Sequence, residues 1–166
     1  GFHVAFNNTT RAQCVFASEW DPAARKTYRH NFNNGPDAAL FVNEDQHFAG
    51  DITKVHPRKG IQDFDILCGG FPCQPFSQAG RKLGFKDARG TLFFRIEQII
   101  REHEPQAIFL ENVRGLLTHD GGHTFQVICN ILKDCGYHGD VDGPAKMPVF
   151  AEVIRASDYG LPQHRP

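Results

Sequence analysis

Short apolar runs alternate along the chain with stretches whose apolar residues recur every three or four positions. That alternation predicts an α/β fold on a parallel sheet. Cys14-Val15-Phe16-Ala17-Ser18 reads as a buried strand. Asp21-Pro22 then opens a helix, since Asp suits an N-cap and Pro the first helical turn. Ala24, Tyr28 and Phe32 give that helix one apolar face, and the run from Asn33 to Asp37 stops it. Phe64 to Cys68 is a second strand ending at Gly69-Gly70. Leu92, Phe93, Ile96, Ile99 and Ile100 share one face of a helix from Thr91 to His103. Ala107 to Leu110 is a third strand. Phe125, Ile128, Ile131, Leu132 and Cys135 mark another helix, ended by Gly136. Val149 to Ala156 reads as the last strand.

From Phe71 to Gly90 the periodicity vanishes and Pro, Gly, Gln, Ser and Lys dominate. A loop that long is usually functional or disordered. Polar groups gather just past three strands: Glu19 after the first, Cys73 after the second, Glu111 after the third. Open parallel sheets bind ligands outside the carboxyl ends of their strands, so the pattern places all three groups at one rim.

Composition narrows the class. With 166 residues, 40% hydrophobic and 22% charged, the chain suits one globular domain. Lys plus Arg number 18 and Asp plus Glu 19, a net charge of -1. This excludes a strongly basic tail as the main grip on DNA but leaves room for a local basic groove. Apolar runs reach only about five residues, too few for a membrane span, and no signal peptide opens the sequence. Five irregularly spaced cysteines suit free thiols in a reducing cytoplasm better than a disulfide framework. Both ends read as cut. The chain opens without Met and closes directly after Gln163-His164-Arg165.

Cys73 stands in Gly69-Gly70-Phe71-Pro72-Cys73-Gln74-Pro75, where glycines allow a tight turn and prolines stiffen the flanks. That context suits a nucleophile held rigidly at a pocket. Cys14, Cys68, Cys129 and Cys135 fall on apolar faces and read as core thiols. Glu111 at a strand end can act as an acid if its pKa is raised. Glu19 suits ribose hydroxyls, and the indole of Trp20 can pack on an adenine face. Asp51, in Gly50-Asp51-Ile52-Thr53, reads either as a strand-end acid for an adenine amino group or as a helix cap. Nine His and five Cys lack zinc spacing, and Gly121-Gly122 break any helix between His119 and His123.

These residues resemble the DNA cytosine-5 methyltransferase family, in order and over nearly the whole chain. Gly69 to Ser77 looks like its Pro-Cys-Gln nucleophile loop, and Arg89 to Phe94 the opening of the next helix. Glu111-Asn112-Val113 matches the Glu-Asn-Val motif, and Asp158 to Arg165 the approach to Gln-x-Arg-x-Arg. Gly1-Phe2 resembles the tail of the glycine-rich cofactor loop; Ser18-Glu19-Trp20 and Gly50 to Thr53 fit the next two cofactor motifs.

The resemblance implies a Rossmann-like domain, mostly parallel and incomplete at both ends, that uses S-adenosylmethionine. The first strand, the later motifs and the target-recognition domain would lie outside residues 1–166. By the same resemblance Cys73 adds to carbon 6 of cytosine, Glu111 meets ring nitrogen 3, and carbon 5 takes the methyl group. The base must first leave the duplex. Arg165 would support the base. Gly1, Phe2, Glu19, Trp20, Asp51, Ile52, Pro72 and Leu92 would line the cofactor site. Asn112 would position the loop around Pro72, and Gln74, Ser77 and Arg81 would touch loop or DNA. The expected partner is double-stranded DNA with a flipped cytosine, without metal or membrane, and the complete protein a monomer. The expected setting is a bacterial cytoplasm, in a restriction-modification system or as an orphan methylase. The alternatives are an RNA cytosine-5 methyltransferase, or an inactive paralogue that binds only DNA or a partner; the intact Cys73 and Glu111 argue against decay. A thiol-redox protein would want a second Cys near Cys73.

Overall fold

The computed structural model describes residues 1–9, 12–71, 92–137 and 149–160. Helix α1 (Phe2–Thr9) opens the chain, an element the patterning does not announce. Eight residues that include Val, Phe and two Asn hold no helix unaided. Tertiary contacts carry it: His3 stacks on Phe32 at 3.8 Å, and Phe6 meets Phe109 edge-on at 6.0 Å.

Strand β1 (Ala17–Ser18) pairs in parallel with β2 (Phe48–Ala49). Between them run α2 (Pro22–Phe32) and the short α3 (Glu44–His47). Strand β3 (Ile66–Gly70) pairs in parallel with β4 (Ala107–Glu111) over five residues, with α4 (Leu92–His103) between them. Parallel pairing needs such crossovers. Helix α5 (His123–Asp134) follows β4. Among the described residues the strands form two separate parallel pairs rather than one sheet.

The local signals act as expected at α2. Asp21 accepts the Ala24 amide at 2.7 Å, and Pro22 takes the first helical position. Gly136, at φ 96°, follows α5 in the left-handed region where a side chain would be strained. Three strand expectations change. Residues 14–16 stay outside the ladder, because the Cys14 amide donates to the Asp37 carboxylate at 2.9 Å instead. The second strand runs later than expected and keeps Gly69 and Gly70 inside the ladder, opposite Leu110 and Glu111. Residues 149–155 form no strand and pair with none of the described strands, and Phe150 and Ile154 are exposed.

The main core covers one face of β3 and β4. Phe71, Phe93, Ile100, Leu116, Ile128, Leu132 and Tyr137 are buried there, and Leu67, Ile96 and Leu110 pack against them. Each large side chain so buried contributes about 1.5–3 kcal/mol. Tyr137 donates its hydroxyl to the Pro105 carbonyl, and burial pushes its pKa up to about 12. The opposite face is more open, with Ile66, Cys68 and Phe109 exposed.

Candidate functional site

The carboxyl ends of β1 and β2 lie side by side. The Glu19 amide donates to the Ala49 carbonyl at 3.0 Å, and the Ser18 hydroxyl to the Gly50 carbonyl at 3.0 Å. Glu19 accepts the Asp21 amide at 2.9 Å, which holds its carboxylate over the start of α2. The Trp20 indole is 78% exposed beside it, leaving a free aromatic face. The sequence pattern does not point to Arg25. Its guanidinium lies 4.3 Å from the Phe48 ring centroid and donates to the carbonyls of Glu19 and Phe48. It thereby locks the ends of the two strands together, and no local spacing signals such a bond.

Asp51 fits the cap reading in its geometry. One carboxylate oxygen accepts both the Thr53 hydroxyl at 2.6 Å and the Thr53 amide at 3.0 Å. These two bonds, the hydroxyl's first, hold its carboxyl below the usual range. The cap starts a 3-10 turn, Ile52–Lys54. A recess of about 660 Å³ opens beside β2 and includes Gly50 and Asp51, but neither Glu19 nor Glu111 lines it.

The second constellation joins β3 to β4. Gly70 and Glu111 are register partners at the carboxyl end of this pair. A Cβ on Gly70 would stand 3.3 Å from a Glu111 carboxylate oxygen, so the acid sits directly beside the exit of β3. Asn112 donates its amide to the Phe71 carbonyl at 2.6 Å and accepts the Val113 amide at 2.9 Å. Phe71 is buried, so the chain is gripped two residues ahead of Cys73. Leu92, at the start of α4, packs against the main core. Gly1 precedes α1, and nothing lies within 4 Å of where its Cβ would be. Phe2 and Ile52 are half-buried.

Pro72, Cys73, Gln74, Ser77, Arg81 and Arg165 lie outside the described residues. Burial pushes the thiols of Cys14, Cys68, Cys129 and Cys135 up from the ordinary range. Their exposure departs from the core reading: Cys68 is exposed and the other three half-buried. Among the described residues no group of three His, Cys, Asp or Glu side chains is placed to hold a metal. No described helix is long and apolar enough to cross a membrane.

Comparison with known proteins names the class to which these two parallel strand pairs belong. The chain belongs to the C-5 cytosine-specific DNA methylase family, whose description matches residues 1–166. It is 47% identical over 99% of its length to the Type II methyltransferase M1.ScrFI of Lactococcus lactis subsp. cremoris, of which it covers 36%. It is 46% identical to M.HpaII of Haemophilus parainfluenzae and 41% identical to M.HhaI of Haemophilus parahaemolyticus. In both cases 99% of the chain aligns, covering 40% and 43% of those proteins. The chain therefore spans less than half the length of these relatives.

Proposed function

We propose that residues 1–166 form part of the Rossmann-like catalytic domain of a bacterial DNA cytosine-5 methyltransferase of the Type II kind, acting in the cytoplasm on a flipped cytosine. The family match over the whole chain supports the reaction, and the register of Gly70 with Glu111 is the observation that carries the site. That register sets a carboxylate beside the strand exit, three residues before the Cys73 thiol.

The residues fit S-adenosylmethionine. Glu19 offers a carboxylate for ribose hydroxyls, and Trp20 offers an exposed ring for adenine. When bound, this cofactor supplies an electrophilic methyl group on a positively charged sulfur. The chain's own residues supply the rest. Cys73, as thiolate, bonds to carbon 6 and pushes electron density to carbon 5. Glu111 holds ring nitrogen 3 and stabilises charge developing there. Asn112 holds the Phe71 backbone two residues ahead of Cys73. Once carbon 5 carries the methyl group, its proton passes to water and the carbon 6–sulfur bond breaks, which returns the Cys73 thiolate and frees the methylated base.

The test is methyl transfer by the full-length protein to duplex DNA, with product bases identified by mass spectrometry. The reading expects 5-methylcytosine, lost in Cys73→Ser. Methylation on an exocyclic nitrogen, on RNA alone, or undiminished in Cys73→Ser would overturn it.

A further inference from the structure

Arg95 spends its fork of donors on one short turn. Its Nε donates to the Ile52 carbonyl at 3.0 Å, and one Nη to the Thr53 carbonyl at 2.8 Å and also to the Val55 carbonyl. The other Nη donates to Gln98 Oε1 at 2.6 Å, which orients the guanidinium from the next turn of α4. Three carbonyls of one turn thus converge on a single cation forty or more residues away in sequence.

A turn this short cannot hold itself. The Ile52–Lys54 turn has two backbone bonds around it, Lys54 to Asp51 at 3.0 Å and Val55 to Ile52 at 3.3 Å. Such turns have poor hydrogen-bond geometry and little cooperativity. Asp51 secures the N-terminal end by capping Thr53, and Arg95 secures the C-terminal end by donating to its carbonyls. A planar guanidinium reaches all three oxygens at once, which a lysine ammonium cannot match in rigid geometry. Arg95 stands on α4, twenty-two residues after Cys73 in the sequence.

We propose that Arg95 is a positioning residue for the cofactor: it clamps the Asp51–Ile52 turn in the shape that receives the adenine end, and ties that turn to the helix following the nucleophile loop. The inference rests on the S-adenosylmethionine reading above. His103 provides the control. It lies at the far end of α4 and bonds the Pro57 carbonyl at 2.8 Å, fastening the same stretch of chain away from the turn.

The experiment is calorimetric titration of S-adenosylmethionine into the full-length protein and its Arg95→Met, Arg95→Lys and His103→Leu variants, with thermal midpoints and steady-state kinetics on DNA. Loss of the clamp is expected to raise the cofactor Kd and KM about tenfold in Arg95→Met, with kcat and cofactor-free DNA affinity within about twofold. Arg95→Lys should recover part of the affinity. His103→Leu should lower the thermal midpoint at least as much, yet keep cofactor Kd near wild type. Cofactor Kd within twofold of wild type in Arg95→Met overturns the inference alone. So does an equal loss of affinity in His103→Leu. A wild-type protein that binds no S-adenosylmethionine overturns the parent reading along with it.

Discussion

A carboxylate oxygen of Glu111 lies 3.3 Å from the position a Cβ on Gly70 would occupy, across the last register pair of β3 and β4. That separation is tighter than ordinary packing, so an alanine there would push the carboxylate aside by a few tenths of an ångström. The backbone at Gly70 has no positive φ, so the substitution strains nothing else. Gly70→Ala should therefore keep stability within about 1 kcal/mol while lowering kcat about tenfold or more through misplacement of Glu111. Single-turnover methyl transfer beside a urea titration checks both halves. An unchanged kcat would detach Glu111 from the chemistry.

Asn112 makes a sharper prediction. Its amide donates to the Phe71 carbonyl, so Asn112→Asp sets an acceptor against an acceptor, whereas Asn112→Ala merely leaves the carbonyl unpaired. The Asp variant should be the more damaging in both stability and rate, with Ala costing about 1–3 kcal/mol. If Asp matched wild type, the bond to Phe71 would not be what holds the loop.

Asp37 controls the acid limb of stability. It is only 1% exposed and accepts from His3 and Asn7, each at 2.8 Å, and from the Cys14 amide. Burial pushes its carboxyl up, but these hydrogen bonds outweigh that and hold it below the ordinary value of 3.8. A folded-state pKa below the unfolded one contributes stability that is complete above the unfolded value and lost as pH falls through the folded one. Urea midpoints should thus drop as pH falls below about 4, and Asp37→Asn should flatten that slope. At neutral pH the variant should be about 1.5–3 kcal/mol less stable. Parallel pH profiles for both proteins would refute the assignment.

The four described thiols predict a labelling pattern. Cys14, Cys68, Cys129 and Cys135 are all pushed above the ordinary value of 9.0, so their thiolate fractions are small at neutral pH. Maleimide labelling near pH 7, mapped by peptide, should be fast at Cys73, absent there in Cys73→Ser, and slow at these four thiols. Cys68 lies on the open face and should lead the slow group as pH rises. A fast phase surviving in Cys73→Ser would place the reactive thiol elsewhere.

Much of the fold is legible wherever a local rule decides it. Asp21-Pro22 caps α2, the apolar stripe from Leu92 to Ile100 buries α4, and Gly136 follows α5, since each depends on neighbours within a turn or two. Strand limits are harder to read. Cys14 looks like ladder, but its amide goes to Asp37, twenty-three residues on. Val149 to Ala156 has the residues of a strand, but a strand exists only with a partner, and none of the described strands pairs with it. Helix α1 is silent in the sequence because its stability comes from Phe32, Asp37 and Phe109, on three other parts of the chain.

The candidate site divides the same way. The candidate chemistry was legible in the sequence alone: a cysteine flanked by prolines, acids after strands, and an ordered run of motifs that resembles the family. These survive as residue identities at short spacings. Only the tertiary structure decided that Glu111 sits beside Gly70, that Asn112 grips Phe71, and that Arg25 and Arg95 bind backbone carbonyls at the ends of β1 and β2 and in the turn after them. A backbone carbonyl has no residue identity, and most of these bonds join residues more than twenty positions apart, set by crossover geometry and packing. No local pattern can encode them.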